Sequence, residues 1–163
     1  MKRVYVLLGG MVGPDGSLVS RGMTALADRI SQLPDVICSK HYWSSYWSVV
    51  TSINQLPHDV TVALVGYSGG GSRATWITDY VYPRAIALVV GYDPSPISSM
   101  GKFGRNVDCS ICYRNATANL FGLGGGIFSG AAKTGTITIN IPHLAVQFNE
   151  ALHARTLEAI ENL

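Results

Sequence analysis

Leu64-Val65-Gly66-Tyr67-Ser68-Gly69-Gly70-Gly71 sets a serine among glycines where an apolar run gives way to a helix-like segment. The preceding Val60-Thr61-Val62-Ala63-Leu64-Val65 reads as a buried strand, and the following Arg73-Ala74-Thr75-Trp76-Ile77 as helix. A side chain at so abrupt a strand-to-helix turn is held in a strained backbone conformation that only small neighbours tolerate, and Gly66 and Gly70 meet that demand. Such an elbow lifts the Ser68 hydroxyl clear of the sheet and leaves the following N–H groups free. The competing reading is a Gly/Ser-rich turn in which Ser68 merely caps the helix.

Working outward from the elbow, short apolar runs rich in β-branched residues alternate with helix-like segments, which implies parallel strands joined by crossover helices. The fold class is α/β, a three-layer sandwich. Strands are expected at 3–8, 35–41, 60–66, 85–91, 107–113 and 135–141, and helices near 17–32, 44–55, 69–81 and 143–162. In the first helix Val19, Met23, Leu26, Ala27, Ile30 and Leu33 fall at helical spacing, with Ser17 or Ser20 as cap. In the last, Leu144, Phe148, Ala151, Leu152, Ala159, Ile160 and Leu163 form the apolar stripe, leaving Glu150, His153, Arg155 and Glu158 for water. Glycines 122, 124, 125, 126, 130 and 135 make 115–135 the most pliable part.

At 163 residues the chain is one domain, 1–163, large enough for a real core. Hydrophobic residues make up 47% and charged residues 13%, yet no apolar run is long enough to span a bilayer. Met1-Lys2-Arg3 before Val4 to Leu8 imitates a signal peptide, but the apolar part breaks at Gly9-Gly10. It reads as a first strand, and the expected location is cytoplasmic. A net charge of +2 without a basic stripe argues against nucleic acid as a partner. Cys38, Cys109 and Cys112 form no disulfide framework, and the Cys-x-x-Cys pair falls inside an apparent strand, where positions three apart face opposite sides. Buried thiols are expected, not a redox or zinc site.

A serine hydroxyl is a poor nucleophile at neutral pH unless a base takes its proton and an acid orients that base. In a parallel sheet the C-terminal strand ends open onto one edge, so partners for Ser68 should directly follow strands. His143 follows Ile137-Thr138-Ile139-Asn140-Ile141, and Pro142 before it holds Ile141 extended and begins a helix at the histidine, where the dipole favours a neutral imidazole. His41 also ends a strand and stands as the alternative base. His58 precedes a strand and His153 falls mid-helix on the polar side. As acid, Asp93 in Gly91-Tyr92-Asp93-Pro94 has the right edge and a rigid turn. Asp108 begins a strand and Asp79 lies on the helix after the elbow. Backbone N–H donors for a developing oxyanion are Gly69 and Met11, the latter within Gly9-Gly10-Met11-Val12-Gly13. That glycine cluster lacks Gly-x-Gly-x-x-Gly spacing, so it is no dinucleotide loop, and no metal or organic cofactor is implied.

The order Ser68, Asp93, His143 makes the chain resemble the α/β-hydrolase superfamily, in a minimal, capless, lipase- or esterase-like form, over nearly its whole length. Gly9-Gly10-Met11-Val12-Gly13 is similar to the His-Gly-x-x-Gly oxyanion loop of lipases, with Gly9 in place of the histidine. Gly91-Tyr92-Asp93-Pro94 resembles the Gly-Leu-Asp-Pro of pancreatic-type lipases. Most of the superfamily carries the acid one strand later, where this chain offers Asn115 and Asn119 but no carboxylate. The resemblance implies six mainly parallel strands in the order 2-1-3-4-5-6, and a site covered only by loops such as 94–106 and 115–135. It also implies a serine hydrolase of carboxylic esters or thioesters, with an acyltransferase or a catalytically silent binding module as rivals. His41-Tyr42-Trp43-Ser44-Ser45-Tyr46-Trp47 together with Phe121, Leu123, Ile127 and Phe128 would border the mouth with apolar surface suited to an acyl chain.

Overall fold

The computed structural model describes residues 1–10, 20–96, 102–116 and 123–163. Six strands, β1 (Lys2–Leu8), β2 (Val36–Tyr42), β3 (Thr61–Tyr67), β4 (Ile86–Tyr92), β5 (Val107–Asn115) and β6 (Lys133–Ile139), form one sheet in the order β2-β1-β3-β4-β5-β6. Every neighbouring pair is parallel. The helices are α1 (Arg21–Ile30), α2 (Tyr46–Asn54), α3 (Gly69–Tyr80), α4 (His143–Val146) and α5 (Glu150–Glu161), with a 3₁₀ turn over Trp43–Ser45.

Because successive strand residues point to opposite faces, the apolar runs split into two cores. On one face Val4, Val6, Val65, Tyr67, Val90 and Tyr92 pack against Met23, Leu26 and Ile30 of α1 and Leu152 and Ile160 of α5. On the other, Tyr5, Leu7, Leu64 and Val89 pack against Val49 and Ile53 of α2 and Ala74 and Ile77 of α3. The result is helix, sheet, helix. The cysteine pair obeys the same alternation: Cys109 packs toward the first core and Cys112 is buried in the second, and all three thiols are free. Burial pushes the Cys38 and Cys112 thiols up to about 11, so both stay protonated at neutral pH.

Several expectations need correction. α1 begins at Arg21 after a non-helical Ser20, whose hydroxyl donates to Gly9 O at 2.7 Å instead of capping the helix; Ser17 and Val19 lie outside the described residues. β6 sits two residues earlier than expected, and β5 runs on to Asn115. The expected closing helix 143–162 is two helices, because Asn149 takes an extended conformation and its side chain accepts the Leu152 N–H at 3.0 Å, capping α5 anew. That break turns the stripe: Val146 is buried, whereas Leu144, Phe148 and Ala151 are exposed. His153, expected in water, is buried and shares a 2.7 Å hydrogen bond with Gln147 O.

Register decides what the sheet presents. Tyr67 lies opposite Tyr92, so β3 and β4 end level with each other, while β5, paired with Tyr92 through Tyr113, runs two residues further. Ser68 and Asp93, each the next residue after its strand, are therefore neighbours along one rim.

Candidate active site

Ser68 joins β3 to α3 at φ 53, ψ −121, a left-handed conformation that costs a non-glycine residue of order 1–3 kcal/mol. The turn closes only because its neighbours lack side chains. A Cβ on Gly66 would stand 2.6 Å from the backbone of Gly70 and Gly71, and one on Gly70 would stand 2.3 Å from Leu7 O. The elbow is thus set by close approach of three backbone segments.

His143 opens α4 just after Pro142, and its ring spans the gap between the two strand ends. Nε2 lies 3.1 Å from Ser68 Oγ and Nδ1 2.7 Å from Asp93 Oδ2. Asp93 has no exposed surface and holds φ 44. Its second oxygen, Oδ1, accepts the N–H of Asn115 at 3.0 Å and of Gly125 at 2.7 Å. Burial alone would raise this carboxyl; the hydrogen bonds from His143, Asn115 and Gly125 and the charge on His143 outweigh it and hold it below its usual value. An ionised Asp93 only accepts, so the ring proton sits on Nδ1 and Nε2 presents its lone pair to the Ser68 hydroxyl.

Four supports for this chain are invisible as motifs. Gly124 leaves room for the acid and base to meet: a Cβ there would stand 2.0 Å from Asp93 Oδ2 and 2.6 Å from His143 Nδ1. Gly125 supplies an N–H to the acid, and its carbonyl accepts Arg114 Nε at 2.9 Å. Tyr67 stacks on the imidazole, with centroids 5.1 Å apart and planes 27° apart, and its hydroxyl donates to His143 O at 3.1 Å. Burial, then the Asp93 charge, drives the Tyr67 hydroxyl pKa far up, so it remains a donor. Gln147 accepts the Gly22 N–H at 3.1 Å and so ties the end of α4 to the start of α1. The glycine cluster after 122 was the one available sequence signal, and its described part, from Gly124 to Gly126, is pinned at Asp93, Arg114 and Pro94, not slack.

For an oxyanion, the Gly69 N–H opens α3 and therefore has no intrahelical acceptor. Met11, the second expected donor, lies outside the described residues. The segment leading to it is firmly placed: Gly10 O accepts Trp43 Nε1 at 2.7 Å, and Gly9 abuts the elbow, where a Cβ would stand 2.8 Å from Ser68 Cβ.

The remaining candidates fall elsewhere. His41 lies within 2.9 Å of Ser39 Oγ and 3.4 Å of Ser48 Oγ, with its pKa lowered by burial and then by Arg3. His58 and Asp108 line a depression of about 540 Å³ at the opposite edge of the sheet, and Asp79 is exposed near the far end of α3. Of the expected mouth residues, Phe128 is core, lying where a Gly91 side chain would be, and Tyr42 packs against the first core. Phe121 and Asn119 lie outside the described residues. Among the described residues no cluster of three or more His, Cys, Asp or Glu is arranged to hold a metal ion, and no helix is long and apolar enough to cross a membrane. No family model matches the chain, and no curated protein matches it.

Proposed function

We propose that the protein is a serine hydrolase of the α/β-hydrolase type, cleaving carboxylic esters or thioesters. The observation that carries the reading is the unbroken chain Ser68 Oγ, His143 Nε2, His143 Nδ1, Asp93 Oδ2, at 3.1 and 2.7 Å. Ser68 Oγ attacks the acyl carbon while Nε2 takes its proton, and Asp93 stabilises the imidazolium so formed. The carbonyl oxygen becomes an oxyanion facing the Gly69 N–H, with Met11 proposed as its second donor. On collapse the C–O or C–S bond breaks, and Nε2 returns the proton to the leaving alcohol or thiol. Water, deprotonated by the same nitrogen, then attacks the acyl-enzyme at Ser68 and releases the acid.

An apolar acyl group is favoured. Leu144, beside His143, is 61% exposed, and Phe148 one turn on is 53% exposed. Leu123 and Ile127, 43% and 51% exposed, bracket the glycines that touch Asp93. Apolar side chains left in water around a polar triad lose less by binding a hydrocarbon than by remaining solvated.

A fluorophosphonate probe tests the reading. Labelling of wild type that vanishes in Ser68→Ala supports it, and folded protein that takes no label overturns it in favour of a silent binding fold. A series of p-nitrophenyl esters of graded chain length, beside acyl thioesters, then ranks the acyl group.

A further inference from the structure

Arg73 lies four residues beyond Gly69, one helical turn and about 6 Å further along α3. Its guanidinium stands over three rings, 3.8 Å from the centre of Trp76, 5.2 Å from Trp43 and 5.3 Å from Tyr46. Nε and Nη1 are buried and donate to nothing, and Arg73 pairs with no carboxylate among the described residues. Other arginines find acceptors: Arg29 on Glu150, Arg114 on Gly125 O, and Arg84 on the carbonyls of Leu56, Pro57 and Val60. A cation–π contact contributes about 0.5–2 kcal/mol, whereas a guanidinium withdrawn from water without a counter-ion loses several kcal/mol. The rings offset the charge in part and leave it, among the described residues, short of an anion.

Position gives that deficit a meaning. Trp43, one of the three rings, donates its indole N–H to Gly10 O, and neighbouring Gly9 packs on Ser68 Cβ. The cation is thus one ring removed from the segment that abuts the nucleophile, on the helix that packs on the second core, whereas Val146 of α4 belongs to the first. We propose that Arg73 recognises an anionic oxygen group, a carboxylate or phosphate ester, carried on the molecule whose ester bond Ser68 attacks. The inference rests on the hydrolase reading. With the guanidinium set against rings and Nε and Nη1 closed to solvent, an anion meets it at the remaining nitrogen, Nη2, as a charge-assisted contact. The substrate class is then an ester with a hydrocarbon part toward α4 and an anionic end toward the 3₁₀ turn at Trp43.

The test compares methyl hexanoate with monomethyl adipate, which matches it in chain length and adds a terminal carboxylate. Losing a charge-assisted hydrogen bond should lower the adipate-to-hexanoate ratio of kcat/KM about tenfold in Arg73→Met, with Arg73→Lys retaining part of it. A ratio that stays at the wild-type value in Arg73→Met overturns the proposal and leaves Arg73 as a brace for Trp43. Should Arg73→Met fail to fold, the same ratio in Arg73→Lys decides. A second readout needs no turnover. Hexanoate and hexyl phosphate, titrated separately, should change tryptophan emission through Trp43 and Trp76 in wild type and not in the Arg73 variant, and their relative affinities tell carboxylate from phosphate. Absence of any response to both overturns the proposal, whereas failure of fluorophosphonate labelling overturns the hydrolase reading and the substrate assignment with it, and a retained emission response then marks an anion site alone.

Discussion

Two glycine turns meet at the triad, Gly66 to Gly71 and Gly124 to Gly126, and they use the missing side chain differently. In the first, glycine lets backbone approach backbone: Gly66 faces Gly70 and Gly71, and Gly70 faces Leu7. That closeness bends β3 into α3 and puts Ser68 at φ 53. In the second, glycine makes room for a contact between two other residues, since a Cβ on Gly124 would occupy the space where Asp93 Oδ2 meets His143 Nδ1. The first turn shapes the residue inside it; the second serves residues about 20 to 30 positions away on either side.

The comparison breaks most sharply at the nucleophile. Replacing Ser68 by alanine should leave the elbow folded and lower ester turnover by roughly 10⁴ or more, as loss of an acyl-transfer nucleophile does. Turnover within tenfold of wild type would show that the strained turn serves another purpose.

Gly124→Ala probes the second turn with no catalytic side chain touched. Asp93 cannot swing aside, because Asn115 and Gly125 hold its other oxygen, so the acid and base must part. A loss of about 10²–10⁴ in kcat is expected, in the range for a misplaced triad acid, with far-ultraviolet circular dichroism unchanged. Activity within twofold would mean that the segment around Gly124 gives way and is no fixed part of the site.

Tyr67 links the two regions, since it stands in the first turn and braces the histidine that the second accommodates. Tyr67→Phe keeps the stacked ring and removes the donor to His143 O, and should lower kcat by roughly two- to tenfold with KM little changed. Tyr67→Leu, which also removes the ring, should cost more and displace the pH profile of kcat. Equal effects from the two variants would put the whole contribution in the hydroxyl.

The smallest effect is a dependence of stability on pH. Burial lowers the His153 pKa from 6.5, against the opposing pull of Gln147 O and Glu150. The unfolded chain therefore takes up a proton before the folded one does. Stability is retained above pH 6.5 and falls as pH drops from there toward the lowered folded value, by at most about 1.4 kcal/mol per pH unit for one proton. Denaturant midpoints of His153→Asn should fall less steeply across that window than those of wild type. Parallel curves would remove His153 from the account. Asp93, also lowered on folding, loses its contribution only further down, as pH falls through its folded value.

What could be read along the chain were features whose cause is local. Alternation of β-branched runs with helical stripes specified an α/β sheet, because side-chain period follows from backbone geometry. The elbow was legible because its steric demand falls on residues within two positions of Ser68. Asp93 was legible because it directly follows β4, and His143 because it comes within a few residues of the end of β6, and parallel strands share one edge.

Features written by distant neighbours were not legible. The glycines at 124 to 126 read as slack, since nothing beside them in sequence reveals Asp93 and Arg114. His153 read as solvated, because the break at Asn149 that turns α5 depends on a single cap.

From sequence came the alternation of strands and helices and the elbow at Ser68, which follow from periodicity and from steric limits acting over a few bonds, while the order of the strands came from the resemblance. Tertiary structure alone decided that a proton can pass between Ser68, His143 and Asp93. Distances of 3.1 and 2.7 Å, a carboxylate held by two N–H groups from separate segments and a guanidinium with no counter-ion among the described residues all arise where chain far apart in sequence is packed together.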